Sequence, residues 1–343
     1  MGLIFGIKKA IIKGSIAKKQ KKEAFDPVAS ELFTLPPDAD EWYNNSYFFT
    51  AHDMAGASLV FRLGLRGGAV SEVWFFYRDR DTFVSDPVEL YPKESCPLRV
   101  KCLEPGKKWE VRYNGTLKDQ KTGKPVQTDF TGTFTGTAEI FDFFYHMNPE
   151  GTAAGLAAEK WTKAFFAEIS QNNQRHYEQR GTIEGTLKLG SLDKQISLPA
   201  ARDHSFGHRS WAYMDRHIWL LILNEKGETF NFSFVGYPAV KALRAGYTDF
   251  GGKITCLASY RIEGDTIQGG KGADDCRYIC TMDDGSTYDI RALREGAVVY
   301  HFENGGFEFF EGFGSFDVNG EPCRGTIEYG YNGDRSRWEE RKG

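Results

Sequence analysis

From Trp42 onward, apolar runs of strand length alternate with turn signals about every ten residues, and no other feature constrains the fold as strongly. Ser46 to Ala51, Ser58 to Leu65, Ser71 to Tyr77 and Trp109 to Tyr113 are such runs, the last ahead of an Asn114-Gly115 turn. This spacing predicts an antiparallel meander, hence a sandwich or a barrel. Thr128 to Ile140 alternates Thr with Phe or Gly, which fits a half-buried strand carrying a kink or bulge. Composition agrees: 27 Phe, 16 Tyr and 38 Gly point to an all-β protein with tight turns and a bulky interior or lined cavity.

The second half repeats this grammar. His217 to Leu223 and Thr229 to Val235 read as strands around a turn at Asn224 to Glu228. In the second of them Phe230, Phe232 and Phe234 point one way and Thr229, Asn231 and Ser233 the other. Between the halves, Leu156, Trp161, Ala164, Phe165 and Ile169 recur near helical spacing and predict one long helix over 152–171. At 343 residues the chain has room for two domains, and the pattern divides it at 25–195 and 196–343, after a basic segment at 1–24.

That basic segment holds Lys8, Lys9, Lys13, Lys18, Lys19, Lys21 and Lys22 with no acidic residue before Glu23. Ile4, Ile7, Ile11 and Ile12 recur among them at helical spacing, the pattern of an amphipathic helix lying on an anionic membrane through residues 1–22. A solvated or frayed leader is the alternative. No apolar run reaches transmembrane length, and the lysines break up any secretory signal. Gly2 suits myristoylation, but Gly6 stands where that motif needs Ser or Thr. The net charge of −4 argues against a nucleic-acid partner. Six scattered cysteines lack a zinc spacing and read as free thiols of a cytoplasmic protein, with no metal and no cofactor expected.

Residues 202–211, Arg-Asp-His-Ser-Phe-Gly-His-Arg-Ser-Trp, pack ionisable and aromatic side chains most densely. Charge at the edge of an apolar scaffold is where sites are often built. Asp203, His204 and His208 are the candidate catalytic residues, since a histidine oriented by a carboxylate moves protons near neutral pH. Arg202 could bind an anionic group or hold Asp203. Downstream, Tyr213, Asp215, His217 and Trp219 alternate along an expected strand, so they share a face and, with Trp211, are candidate ligand contacts. Three readings stay open: a clasp between domains, a ligand-positioning element, or a proton-transfer site. His52-Asp53, His301 and Glu328 read as structural, and the glycines of Gly264 to Lys271 as a hairpin turn rather than a phosphate loop.

The run Arg202-Asp203-His204-Ser205-Phe206-Gly207-His208-Arg209 resembles the signature of the AttH-like and carotenoid-hydratase (hydroxyneurosporene synthase) group. His176-Tyr177-Glu178-Gln179-x-Gly181-x-Ile183-Glu184-Gly185, Ser71 to Phe76 and Gly325-Thr326-Ile327-Glu328-Tyr329-Gly330 carry the same resemblance, with Phe206 where Trp is typical. It implies two tandem lipocalin-like β-barrels and a small hydrophobic ligand of isoprenoid or lipid type. It further implies hydration, cyclisation or isomerisation by acid catalysis, with Asp203 as the acid, His204 or His208 orienting it, and Trp211 and Trp219 as walls. A non-catalytic carrier of hydrophobic ligands and a membrane-associated scaffold are the alternatives.

Overall fold

The computed structural model describes residues 2–339 apart from 69, 87–89, 172–173, 265 and 269–270. The hairpin turn expected over 264–271 falls partly outside the described residues; what is described there pairs Ile267–Gln268 with Lys271–Gly272. Two helices come first, α1 (Leu3–Lys22) and α2 (Pro27–Glu31). Eight strands then form one ring: β1 (Tyr43–His52), β2 (Ser58–Arg66), β3 (Val70–Asp79), β4 (Thr82–Ser85), β5 (Lys108–Asp119), β6 (Pro125–Gly136), β7 (Arg175–Leu189) and β8 (Leu192–His208). Each pairs antiparallel with its successor, and β8 closes the ring on β1.

A second ring repeats the arrangement with β9 (Arg216–Leu223), β10 (Thr229–Gly236), β11 (Leu243–Phe250), β12 (Lys253–Glu263), β13 (Asp275–Met282), β14 (Thr287–Phe302), β15 (Phe307–Val318) and β16 (Glu321–Asn332). Here β16 returns to β9. The all-β architecture of two antiparallel barrels is therefore the one expected. Full closure leaves neither barrel an open edge in its ring.

The chain divides at other positions than the expected 195/196. One compact unit comprises residues 25–142 and 174–209, the other 1–24, 143–173 and 210–343. The reason is β8, which runs through position 195 to His208 as the closing strand of the first barrel. Gly207, at φ 129, takes a conformation near the end of that strand that a β-carbon disfavours.

The single helix expected over 152–171 is two, α3 (Glu150–Ala158) and α4 (Lys163–Gln171). The Trp161 indole donates to the Leu156 carbonyl at 2.9 Å, an acceptor the end of α3 would otherwise leave open. Thr162 then starts α4 as its N-cap, its hydroxyl accepting from the Phe165 amide at 3.0 Å.

Alternation fills both barrels. Phe49, Phe61, Phe75, Tyr113 and Phe130 pack within the first. Phe230, Phe232 and Phe234 face into the second with Ile218, Leu220, Tyr278 and Tyr329, so the predicted orientation of the three phenylalanines is the observed one. All six thiols are free, as expected, and five are buried.

Candidate functional site

The antiparallel register of β7 and β8 sets Tyr177 opposite His204, Glu178 opposite Asp203, and Gln179 opposite Arg202. Strand side chains alternate, so this one alignment makes two clusters on opposite faces. Ile196, Leu198 and Ala200 of β8 belong to the barrel core. Arg202 and His204 continue that inward row, and Asp203 points out.

Inside, every polar group of the row has a partner. Asn45 donates to the Tyr47 hydroxyl at 3.0 Å and to the Phe33 carbonyl at 3.2 Å, which leaves its Oδ1 to accept from His204 Nε2 at 2.7 Å. The Tyr177 hydroxyl donates to the other nitrogen, Nδ1 of His204. The Tyr47 ring stacks on the imidazole with centroids 4.4 Å apart. Burial, aided by the nearby Arg202 guanidinium, pushes the His204 pKa down to about 3. This histidine is neutral at physiological pH, with both nitrogens engaged.

Arg202 is also occupied. It donates twice to Gln179 Oε1, at 3.0 and 2.8 Å, and meets Glu31 of α2 at 2.8 Å. Its guanidinium lies 5.2 Å from the centre of the Trp109 ring. Glu31 in turn accepts from the Trp109 indole at 2.8 Å and the Gly106 amide at 3.1 Å. Arg202 thus fastens α2 to the barrel within its own unit.

The outward cluster differs in kind. Nε2 of His176 lies 2.5 Å from Asp203 Oδ2 and 3.2 Å from Glu178 Oε1. A third of the His176 side chain is open to solvent, whereas Glu178 is buried. Burial would lower the His176 pKa, but the two carboxylates outweigh it and raise it to about 10. Burial pushes the Asp203 carboxyl up, yet His176 and Arg209 hold it below the ordinary aspartate value. At neutral pH the proton therefore resides on His176 and Asp203 is ionised. Expectations from the resemblance had Asp203 as the acid with His204 or His208 orienting it. Instead His204 lies across the strand on the other face, and His208 is exposed, 3.1 Å from Asp40. The three donor atoms lie within 4.8 Å of one another, so they could present one nitrogen and two oxygens to a divalent cation once the imidazole lost its proton.

The downstream candidates lie in the other unit. Tyr213 and Asp215 precede β9 rather than extending it, and they are engaged separately: Tyr213 donates to Glu168, and Asp215 meets Arg337 at 2.5 Å. His217 and Trp219 do share a face, the one opposite the core residues Ile218 and Leu220. Trp219 donates to Asn231 Oδ1 at 3.1 Å. His217 meets Glu328 at 2.8 Å, across the β9–β16 pairing. Phe309 lies beside His217 at 5.6 Å and beside Trp211 at 5.3 Å, and Trp211 stacks on Phe302 at 4.6 Å. Trp211 and His217 therefore border one aromatic patch. Two surface depressions in this unit, of about 500 Å³ lined mainly by charged side chains and of about 250 Å³ lined half by charged and half by apolar residues, include no candidate residue.

Reasoning from the sequence assigned no role to His176, Glu178, Tyr177, Asn45 or Glu31. The first three stand in the run 176–179 that carried the family resemblance, and that was the available signal. Asn45 and Glu31 had none, because only barrel closure and the docking of α2 bring them in.

The family described as "Domain of unknown function (DUF7064)" matches residues 29–333. Among solved structures, the chain is similar to an AttH from Nitrosomonas europaea, at 12% identity and TM-score 0.53, covering 87% of this chain and 96% of that one. It is similar to kievitone hydratase from Nectria haematococca, at 8% identity and TM-score 0.51, covering 90% and 96%. It is also similar to CghA with Sch210972, at 9% identity and TM-score 0.53, covering 91% and 94%. At these identities the likeness is one of fold. No curated protein matches the chain.

Proposed function

We propose, for a chain that belongs to the DUF7064 family, that it binds a small apolar molecule and transfers a proton to and from it, in a hydration, cyclisation or isomerisation. The observation that carries this reading is the His176–Asp203–Glu178 group: one proton shared among three bases, with Nε2 of His176 and Oε1 of Glu178 buried and a third of the His176 side chain open to solvent. Such a group can donate at one carbon and accept elsewhere, which these reactions require. In a hydration, the imidazolium protonates one alkene carbon and water adds to the other. The proton that water releases passes to Asp203 or Glu178 and returns to His176, so the group ends as it began. The two carboxylates also favour the positive charge that develops between these steps. A hydratase among proteins of the same fold supports the reading.

The test is incubation of the full chain with an apolar lipid and terpenoid extract in D₂O, followed by mass spectrometry. Proton transfer to carbon leaves deuterium in a product whichever of the three reactions occurs. His176→Gln and Asp203→Asn are expected to lower incorporation at least ~100-fold while co-purified ligand is retained. Ligand that co-purifies with the native chain but never gains deuterium would instead make it a carrier. Unchanged incorporation in both variants would remove the triad from the chemistry.

A further inference from the structure

Helix α1 docks with a side that mixes lysines and Gln20 with half-buried apolar residues, and leaves other aliphatic side chains outside. Lys8 donates to the Glu159 carbonyl at 2.7 Å and lies over the Trp161 ring, while Lys9 and Lys13 both pair with Glu150. Gln20 donates to the carbonyls of Phe144 and Met147 at 2.7 and 3.0 Å. Phe5, Ile12 and Ile16 on that side are half-buried. Opposite them, Leu3, Ile4, Ile7 and Ile11 are 82, 71, 52 and 56% exposed, far more than such residues usually are on a docked helix.

Position along the helix separates apolar from charged groups. At 3.6 residues per turn, the arc through Leu3, Ile4, Ile7 and Ile11 continues through Gly14 to Lys18, Lys21 and Lys22. Lys18, Lys19, Lys21 and Lys22 are exposed, and among the described residues no ion pair engages them. No acidic residue lies within Leu3–Lys22.

We infer that this face of α1 rests on an anionic bilayer surface, with Leu3, Ile4, Ile7 and Ile11 at the acyl boundary and Lys18, Lys21 and Lys22 on lipid headgroups. Charge complementarity selects that occupant. A second copy of the helix would bring lysines together in a parallel pairing and set them on aliphatic side chains in an antiparallel one, and four aliphatic side chains fall well short of the ~800 Å² per partner that a stable dimer buries. Among the described residues no helix is long and apolar enough to cross a membrane, so α1 lies along the surface. The inference stands apart from the proton-transfer reading.

Flotation of the full chain with phosphatidylcholine vesicles, with and without 30% phosphatidylserine, tests it. Binding is expected only to the anionic vesicles and is expected to fall on the order of 100-fold when Lys18, Lys21 and Lys22 become Gln. Ile7→Asp with Ile11→Asp should abolish flotation with unchanged thermal melting, because both side chains point away from the docked side. Equal binding to both vesicle types, or binding unaffected by the Ile7 and Ile11 changes, would overturn the inference. So would a dimer in light scattering that those same changes dissolve.

Discussion

The two barrels share strand number and strand order but not what fills them. The first carries a buried polar layer of Glu31, Arg202, Gln179, His204, Tyr177 and Asn45. In the second, the inward rows of β9 and β10 are apolar, and Tyr278 and Tyr329 satisfy each other's hydroxyls at 2.7 Å. A buried polar layer is tolerable only when every member has a partner. In the first barrel most of those partners stand on β1 and β7, but the countercharge of Arg202 comes from outside the ring, from Glu31 on α2. That barrel therefore depends on its helix, whereas the hydroxyl pair of the second is contained within its own strands.

Removing the helix's anchor should give the largest effect. Arg202→Met leaves the Glu31 carboxylate buried without its cation and is expected to cost about 3–5 kcal/mol in urea unfolding. Adding Glu31→Gln should recover part of that loss. A single mutant as stable as the native chain would break the contrast.

Next in size is a pH effect that separates the two faces of β7 and β8. His204 has a native pKa of about 3 against roughly 6.5 when unfolded, so the unfolded state takes up a proton that the native state refuses. Its contribution is intact above pH 6.5 and falls by ~1.4 kcal/mol per unit as the pH drops toward 3. His176, raised to about 10, behaves oppositely: its contribution is full below pH 6.5 and is lost as the pH rises through 10. Stability measured from pH 4.5 to 9.5 should show the acid slope relieved in His204→Gln and the alkaline slope relieved in His176→Gln. Identical profiles for the two variants would mean that the faces do not differ electrostatically. The smallest effect belongs to the second barrel, where Tyr278→Phe removes one hydroxyl contact and should cost about 1 kcal/mol. A loss near that of Arg202→Met would show that its core also hinges on polar contacts.

Local pattern exposed much of this molecule. Alternation in Thr229 to Val235 put its three phenylalanines on one face, and the turn spacing announced the meander. The helix over 152–171 divided because Trp161 and Thr162 satisfy two helix ends at once, a contact that periodicity does not register. Residues 202–208 stood out for their charge, and they form the end of β8. Their inward polar groups, Arg202 and His204, are matched by Glu31, Gln179 and Asn45 on other elements, which the local sequence does not bring in.

By itself, then, the sequence determined the strands and their meander through local alternation, implied the two-barrel plan only through the resemblance its motifs carry, and marked the run at 202–209 as a place of concentrated charge. Tertiary structure alone decided which charges meet. A one-residue step along β8 turns His204 into a neutral core group and Asp203 into the partner of His176, because successive strand side chains face opposite ways and the register with β7 chooses their neighbours.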